Sequence, residues 1–405
     1  MKRFGVILLL GFWLLGFVKP VFALTLDEAV SQAREHNSDL LFAQKQWESI
    51  RAKVPQTISL ADPRVGVEYE QIPSGSRNLE EGMKMYSFEQ MVMFPGKIYA
   101  EWQMSGKEAE MFFARYQAKL REIISQAKAA YYDLYLTDRS IAVMNEVAGL
   151  LDKIKKSAQA KYMVGSVMQM DVLQANIEYQ LVSNDLLTMR QERGVKEAKL
   201  KVLLSRTDHS TIEVDQDFSL PATIESVERL EKTASANRPE LLAMKAELEM
   251  KDAAHLKSKM DYFPDTMLGV KKRVGDGWDA MFSFSLPLYF WKQSYGVSSI
   301  GLEREAAKAA FSNMENMTLW EVKEAYIAAD AARRTYLLYQ DKIITQSEQT
   351  LKAALKAYQT GTVDFQALLL AERMYKEAKL KLYENQANYG KALAGLERII
   401  GKGVN

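Results

Sequence analysis

Tyr162-Met163-Val164-Gly165-Ser166-Val167 and Tyr358-Gln359-Thr360-Gly361-Thr362-Val363 decide how this chain folds. The two stretches share a Tyr-x-x-Gly-Ser/Thr-Val pattern 196 residues apart, and each closes a long segment of helical character. A glycine there suits the left-handed residue just past a helix end, and Ser166 or Thr362 is placed to cap the helix that follows. Each stretch therefore predicts the tight turn of a helical hairpin.

Working outward, the turns prove to be one marker of an internal repeat. Asn37-Ser38-Asp39 with Leu41, Ala43 and Lys45 matches Asn237-Arg238-Pro239 with Leu241, Ala243 and Lys245. Tyr86-Ser87-Phe88 matches Phe282-Ser283-Phe284. Both halves run helix, strand pair, long helix, tight turn, helix. The expected organisation is a first repeat over 24–204, a linker over 205–225, a second repeat over 226–401 and a tail over 402–405.

Between Lys97 and Met163 there is no proline, and apolar residues recur every seven positions. One seam runs Leu120, Ala127, Leu134, Ile141, Ala148; a second runs Ile123, Ala130, Thr137, Met144, Leu151, Ala158. This is coiled-coil patterning, and about 65 residues at a rise of 1.5 Å make a rod of roughly 100 Å. Ser294–Tyr358 has the same length and character. Alanine is frequent in the seams, which favours close helix layers over a filled globular bundle.

Two stretches break the helical period. Val65, Val67 and Tyr69 alternate with Arg64, Gly66, Glu68 and Glu70, and a partner strand runs through Tyr86-Ser87-Phe88-Glu89, giving a strand pair over about 64–94. The second pair, over about 266–290, has Leu268 and Val270 alternating with Lys271 and Arg273, then Ala280 to Leu286 after a Gly275-Asp276-Gly277 turn. Apolar-out, polar-in alternation is the pattern of an outer-membrane strand, and Tyr99, Phe94, Phe263, Trp278 and Tyr289-Phe290-Trp291 stand where aromatic girdles would. A small soluble sheet is the other reading of the same pattern. Four strands cannot close a barrel, and open edges are not tolerated in lipid. Three chains would supply twelve strands, an even number in the usual range.

The bulk composition agrees. The chain has 405 residues, 48% hydrophobic and 26% charged; 53 Lys and Arg against 52 Asp and Glu leave +1, which gives no electrostatic footprint for nucleic acid. Lys2-Arg3, the apolar run Phe4–Val18, Lys19-Pro20 and Val21-Phe22-Ala23 read as a signal peptide over 1–23. That run is shorter than the ~20 residues of a spanning helix, and no later segment is apolar enough. With no cysteine, disulfides, thiolate chemistry and lipid attachment after the leader are excluded.

No catalytic or metal-binding constellation stands out in the sequence. His36, His209 and His255 are scattered without ligand spacing. Met163, Met168 and Met170 surround the first turn, and Met83, Met85, Met91 and Met93 follow one strand region, with Met91 and Met93 of shared parity; methionine is more often packing than ligand. Asp27 and Glu28 are first-turn helix charges. No nucleophile-elbow, P-loop or dinucleotide motif occurs. No enzyme activity, resident metal or cofactor is expected.

Leu24-Thr25-Leu26-Asp27-Glu28-Ala29-Val30, Asn237-Arg238-Pro239-Glu240-Leu241, Phe263-Pro264, Ser285-Leu286-Pro287-Leu288 and the paired Tyr-x-x-Gly turns, in this order and duplicated, resemble the TolC family of outer-membrane efflux channels. The resemblance implies a mainly α fold with a β-barrel part: a homotrimer with a twelve-stranded barrel in outer-membrane lipid and a long antiparallel coiled-coil tunnel through the periplasm. It implies docking to a periplasmic adaptor and an inner-membrane pump of the RND type. The channel would be a passive exit duct of a tripartite system. Phe94-Pro95-Gly96-Lys97 is similar to the branch serving heavy-metal and cation efflux.

The family's periplasmic aperture falls at the hairpin tips, with a closed-state hydrogen bond that maps onto Asp171 and Tyr358. The family's reinforcing arginine maps onto Val363, and its pore-narrowing aspartates map onto Ala367 and Leu370, so cation selectivity by a carboxylate ring is not expected there, and a hydrophobic constriction that dewets is an alternative. Tyr162, Gly165, Ser166, Gly361, Thr362 and Val363 would meet the adaptor. The alternative from another class is a periplasmic coiled-coil adaptor or scaffold, although such a protein usually carries one hairpin inserted into β-rich domains.

Overall fold

Thr25 starts the first helix: its hydroxyl accepts from Glu28 N while Glu28 reaches back to Thr25 N, closing a capping box. The structure, a computed structural model, describes residues 23–403 apart from 209, 217 and 276. The expected leader therefore lies, save Ala23, outside the described residues. Helices α1 (Leu26–His36) and α2 (Ser38–Lys53) meet at Asn37, whose side chain caps α2 through Asp39 N and Leu40 N. Strands β1 (Arg64–Glu70) and β2 (Met83–Val92) follow, then α3 (Pro95–Met163) and α4 (Gln169–Leu203). The second half repeats the order with α5 (Val227–Asn237), α6 (Pro239–Met260), β3 (Thr266–Arg273), β4 (Trp278–Phe284), α7 (Phe290–Leu338), α8 (Ile344–Thr360) and α9 (Phe365–Ile400).

Helix α3 is a single rod of 69 residues, about 100 Å long. Every member of the second seam is buried, and the one polar member, Thr137, donates its hydroxyl to Asp133 O at 2.9 Å. In the first seam Leu120, Ala127 and Leu134 are buried, while Ile141 and Ala148 are half-buried. The second rod runs on from α7 into α8 through a π-helical turn at Tyr339–Ile343, where the sequence predicted a regular helix. Beside it Arg333 donates to Ala222 O at 3.0 Å, and the Tyr336 ring stacks on Tyr389. The widened turn thus falls where the linker packs against the rod, a tertiary demand that heptad counting does not register.

The linker lies across the middle of the helices and is pinned by its own carbonyls. Leu24 and Val214 form a parallel bridge; Tyr131 Oη donates to Leu24 O and Asp215 O at 3.0 and 3.3 Å. Arg193 reaches Ile212 O, Arg139 reaches Gln216 O and Tyr389 reaches Pro221 O. These donors come from α3, α4 and α9, so a segment with almost no ladder of its own still has partners for these four carbonyls.

The four strands form one antiparallel sheet in the order β1-β2-β3-β4. The two repeats join where β2 pairs with β3, Phe88 opposite Val270 and Ser87 opposite Lys271. Across the sheet, Val65, Phe88, Val270 and Ala280 share one row, and Val67, Tyr86, Lys272 and Trp278 the next. This face is exposed: Val65 is 78% accessible and Trp278 70%. The opposite face carries Ser87, Glu68, Lys271 and Asp279, with Lys271 Nζ on Glu68 Oε2 at 2.6 Å. Met91 faces Met267 on that same side, whereas Met93 lies beyond the end of β2. Neither β1 nor β4 has a second partner within the described residues, so the sheet is open along both edges.

Candidate functional site

The sheet joins the helices at a corner built by Phe94-Pro95-Gly96-Lys97. Phe94 stacks on Phe263 with centroids 4.5 Å apart, and Pro95 takes the first helical position of α3, where its missing N–H costs nothing. A Cβ on Gly96 would meet Met260 Sδ and the Phe94 ring at 2.8 Å, so a larger residue would force that side chain and the stacked ring to shift. Lys97 Nζ pairs with Asp265 Oδ2 at 2.9 Å, and Asp265 Oδ1 accepts from Phe94 N at 2.9 Å. Asp265 was missed by motif reading because its partners lie 168 and 171 residues away. It follows Phe263-Pro264, which is the signal that marks it.

At the far end, both turns close as expected on left-handed glycines, Gly165 at φ 73° and Gly361 at φ 76°. Ser166 N donates to Lys161 O and Gly165 N to Tyr162 O; Thr362 N donates to Ala357 O and Gly361 N to Tyr358 O. This is the Schellman pattern twice. The expected capping role of Ser166 and Thr362 is corrected: Thr362 Oγ1 donates back to Ala357 O and so closes α8. Helix α9 is capped instead by Asp364, whose Oδ1 accepts from Ala367 N at 2.8 Å, and α4 starts at Met168 with no side-chain cap.

The structure brings Asp171 and Tyr358 together without joining them. Tyr358 is buried, its hydroxyl has no hydrogen-bond partner among the described residues, and its phenol is pushed up first by burial and then by the Asp171 charge. The expected Asp171–Tyr358 hydrogen bond is therefore not made in this chain. The Tyr358 ring lies inside an apolar cluster with Leu351, Phe365 and Leu369, edge-on to Phe365 at 5.7 Å, which turns the hydroxyl into the packing. Val363 packs against the same cluster, whereas Ala367 and Leu370 are exposed on α9, away from their own core. Tyr162 and Gly165 are exposed at the tip of the first hairpin.

Sequence reading missed the polar ladder that ties the second hairpin, α8 and α9, to the first. Lys161 on α3 reaches Tyr358, and Gln366 Nε2 donates to Gln174 Oε1 at 2.6 Å. Arg373 pairs with Glu178, and Tyr375 and Lys379 both bind Glu146. Burial works against the Glu146 carboxylate, yet Lys379 and Tyr375 hold it below the usual range. Higher up follow Tyr135 to Gln386, Lys391 to Asp133 and Lys128 to Glu397. Within this region Glu372 is fully buried with both carboxyl oxygens unpartnered, and burial pushes its pKa up, Glu178 adding to the rise. Among the described residues no cluster of three or more His, Cys, Asp or Glu could hold a metal ion, and no helix is long and apolar enough to cross a membrane.

Two long hairpins hung from an open, one-sided apolar sheet define a class: an outer-membrane channel subunit whose helices extend into the periplasm. Residues 230–402, the second repeat, match the family described as outer membrane efflux protein. The chain is 19% identical over 384 residues to the cobalt-zinc-cadmium resistance protein CzcC of Cupriavidus metallidurans, covering 94% of this chain and 90% of that one. The fold matches the CmeC outer membrane channel of Campylobacter jejuni at a TM-score of 0.75 and 17% identity, covering 94% of this chain and 86% of that one. It matches the outer membrane protein VceC of Vibrio cholerae at 0.77 and 17%, covering 93% and 96%. The second half of the chain thus matches the outer membrane efflux protein family, and the fold over nearly the whole chain is that of solved outer-membrane channels.

Proposed function

We propose that three copies of this chain close one twelve-stranded barrel in the outer membrane, over a periplasmic tunnel of twelve long helical segments, and that the assembly is the passive exit duct of a tripartite pump. The observation that carries this reading is the sheet: one face apolar and exposed, the other polar, with both edges open. In lipid such edges must pair, and only further copies of the same sheet supply matching strands. Residues 24–204 and 226–401 act as two tunnel-building repeats, with 205–225 a belt about their middle. Cross-linking and heat-modifiable gel mobility of the outer-membrane fraction test this. A trimer is expected; a freely soluble monomer would overturn it.

An exit duct needs a source of energy and a seal, so an inner-membrane pump of the RND type and a periplasmic adaptor are its partners. The exposed tip residues Tyr162, Gly165, Ser166, Gly361 and Thr362, with half-buried Val363 beside them, form the adaptor contact, and Ala367 and Leu370 line the aperture as an apolar constriction. The likeness to CzcC supports divalent metal cations as the cargo. Loss of the chain should then raise sensitivity to cobalt, zinc or cadmium; unchanged sensitivity to all three would refute the cargo while leaving the duct intact.

A further inference from the structure

We infer that the tip is latched by Lys161, through the face and the main-chain carbonyl of Tyr358, and not by the Tyr358 hydroxyl. This rests on the reading that the hairpin tips form the aperture. Lys161 stands in the last turn of α3 and Tyr358 in the last turn of α8, so any contact between them couples the first hairpin to the second. Lys161 Nζ donates to Tyr358 O at 2.5 Å and lies 4.3 Å from the centroid of the Tyr358 ring.

Three physical features favour this contact. The Tyr358 carbonyl belongs to the C-terminal turn of α8, the negative end of its dipole, where a cation is stabilised. That same carbonyl also receives Gly361 N at 3.2 Å, so the ammonium is anchored to the left-handed turn itself. The ring face is electron-rich, and 4.3 Å is well within cation–π range. Among the described residues Lys161 forms no ion pair with a carboxylate, so the ring and the carbonyl are what meet its charge. The Tyr358 hydroxyl, by contrast, is buried and unpartnered.

The repeat makes the asymmetry plain. Tyr162 and Tyr358 are equivalent, and so are Lys161 and Ala357. The cation is present in the first hairpin alone and reaches across to the second. Moving the α8–α9 hairpin away from α3 must break the contact between Lys161 and Tyr358. Lys161 is thus a positioning residue for closure, and the position where the arginine is missing, Val363, needs no cation because one arrives from the opposite hairpin.

Single-channel recording of the full-length protein in planar bilayers tests the latch. Lys161→Met is expected to raise the open-state population roughly 2- to 30-fold, the range that losing one cation–π contact allows. Lys161→Arg, which keeps both charge and donors, and Tyr358→Phe, which keeps ring and carbonyl, should keep the wild-type open population. An unchanged open population in Lys161→Met overturns the latch, as does a Tyr358→Phe variant that opens equally. Ala367→Cys in this cysteine-free chain, labelled with a bulky maleimide, tests the aperture separately. A fall in conductance there with a silent Lys161→Met would refute the latch alone, whereas no effect of the label would refute the aperture itself.

Discussion

Gly390→Ala is the smallest change that should damage the tunnel wall. Gly390 sits inside α9, where the Tyr132 ring of α3 lies on its backbone. A methyl there would come within 2.5 to 2.8 Å of Cζ, Cε2 and Cε1. Carbon atoms pack at about 3.5–4.0 Å, so the ring must retreat by roughly 1 Å. It has nowhere to go: Tyr132 is 4% exposed, edge-on to Tyr131 at 6.0 Å and tilted against Phe218 at 5.5 Å. Overpacking of this kind costs about 1–3 kcal/mol, while alanine returns about 1 kcal/mol of helix propensity. The balance is a net loss of about 0–2 kcal/mol, towards the upper end because the Tyr132 ring is walled in. In detergent, the far-ultraviolet melting temperature should fall by a few degrees. Adding Tyr132→Leu should recover part of that loss relative to Tyr132→Leu alone, because the ring is the obstacle. A Gly390→Ala variant melting at or above the wild type, or two substitutions whose effects simply add, would refute the close approach of α3 and α9.

Gly361→Ala should cost about 1 kcal/mol for backbone strain alone, since nothing lies within 4 Å of the new methyl. Asparagine, which tolerates the left-handed region, should cost less; equal losses on thermal melting would point to crowding instead. Asp265→Ala should destabilise by about 2–4 kcal/mol and more than Lys97→Ala, because it strands both Lys97 and Phe94 N; urea titration of the two variants decides this. For Glu372 the sign follows from its raised pKa. Below the ordinary carboxylate value both folded and unfolded chains hold the proton, and nothing is lost. As pH rises the unfolded chain ionises first, so stability falls until the folded-state value is passed. Glu372→Gln should therefore melt with the wild type near about pH 4 and above it near about pH 8; an equal difference at both would show that the carboxyl is solvated or paired.

Local signals carried most of the fold. The two Tyr-x-x-Gly turns, the seven-residue seams and the strand alternation are properties of neighbouring residues, and hairpins, rods and sheet faces follow from them. What stayed hidden depends on residues far apart in the chain. The π-helical turn at Tyr339–Ile343 answers to the linker packing beside it. Asp265 answers to Lys97 and Phe94 across the repeat boundary. Thr362 has two backbone segments within reach, and only the geometry of the turn selects Ala357 O over the N-terminus of α9. Tyr358 was legible as a tip residue, but burial among Leu351, Phe365 and Leu369 decides that its face, not its hydroxyl, is available. Lys161 had no signal at all beyond its break with the repeat.

In the proposed trimer, copies of this chain enclose a continuous water path through the sheet and between the helices. Conductance across a planar bilayer holding the purified, membrane-inserted oligomer measures that path directly. Discrete single-channel steps are expected from the wild type, with longer openings in Lys161→Met. Correctly inserted trimers that stay electrically silent in both proteins would contradict the account.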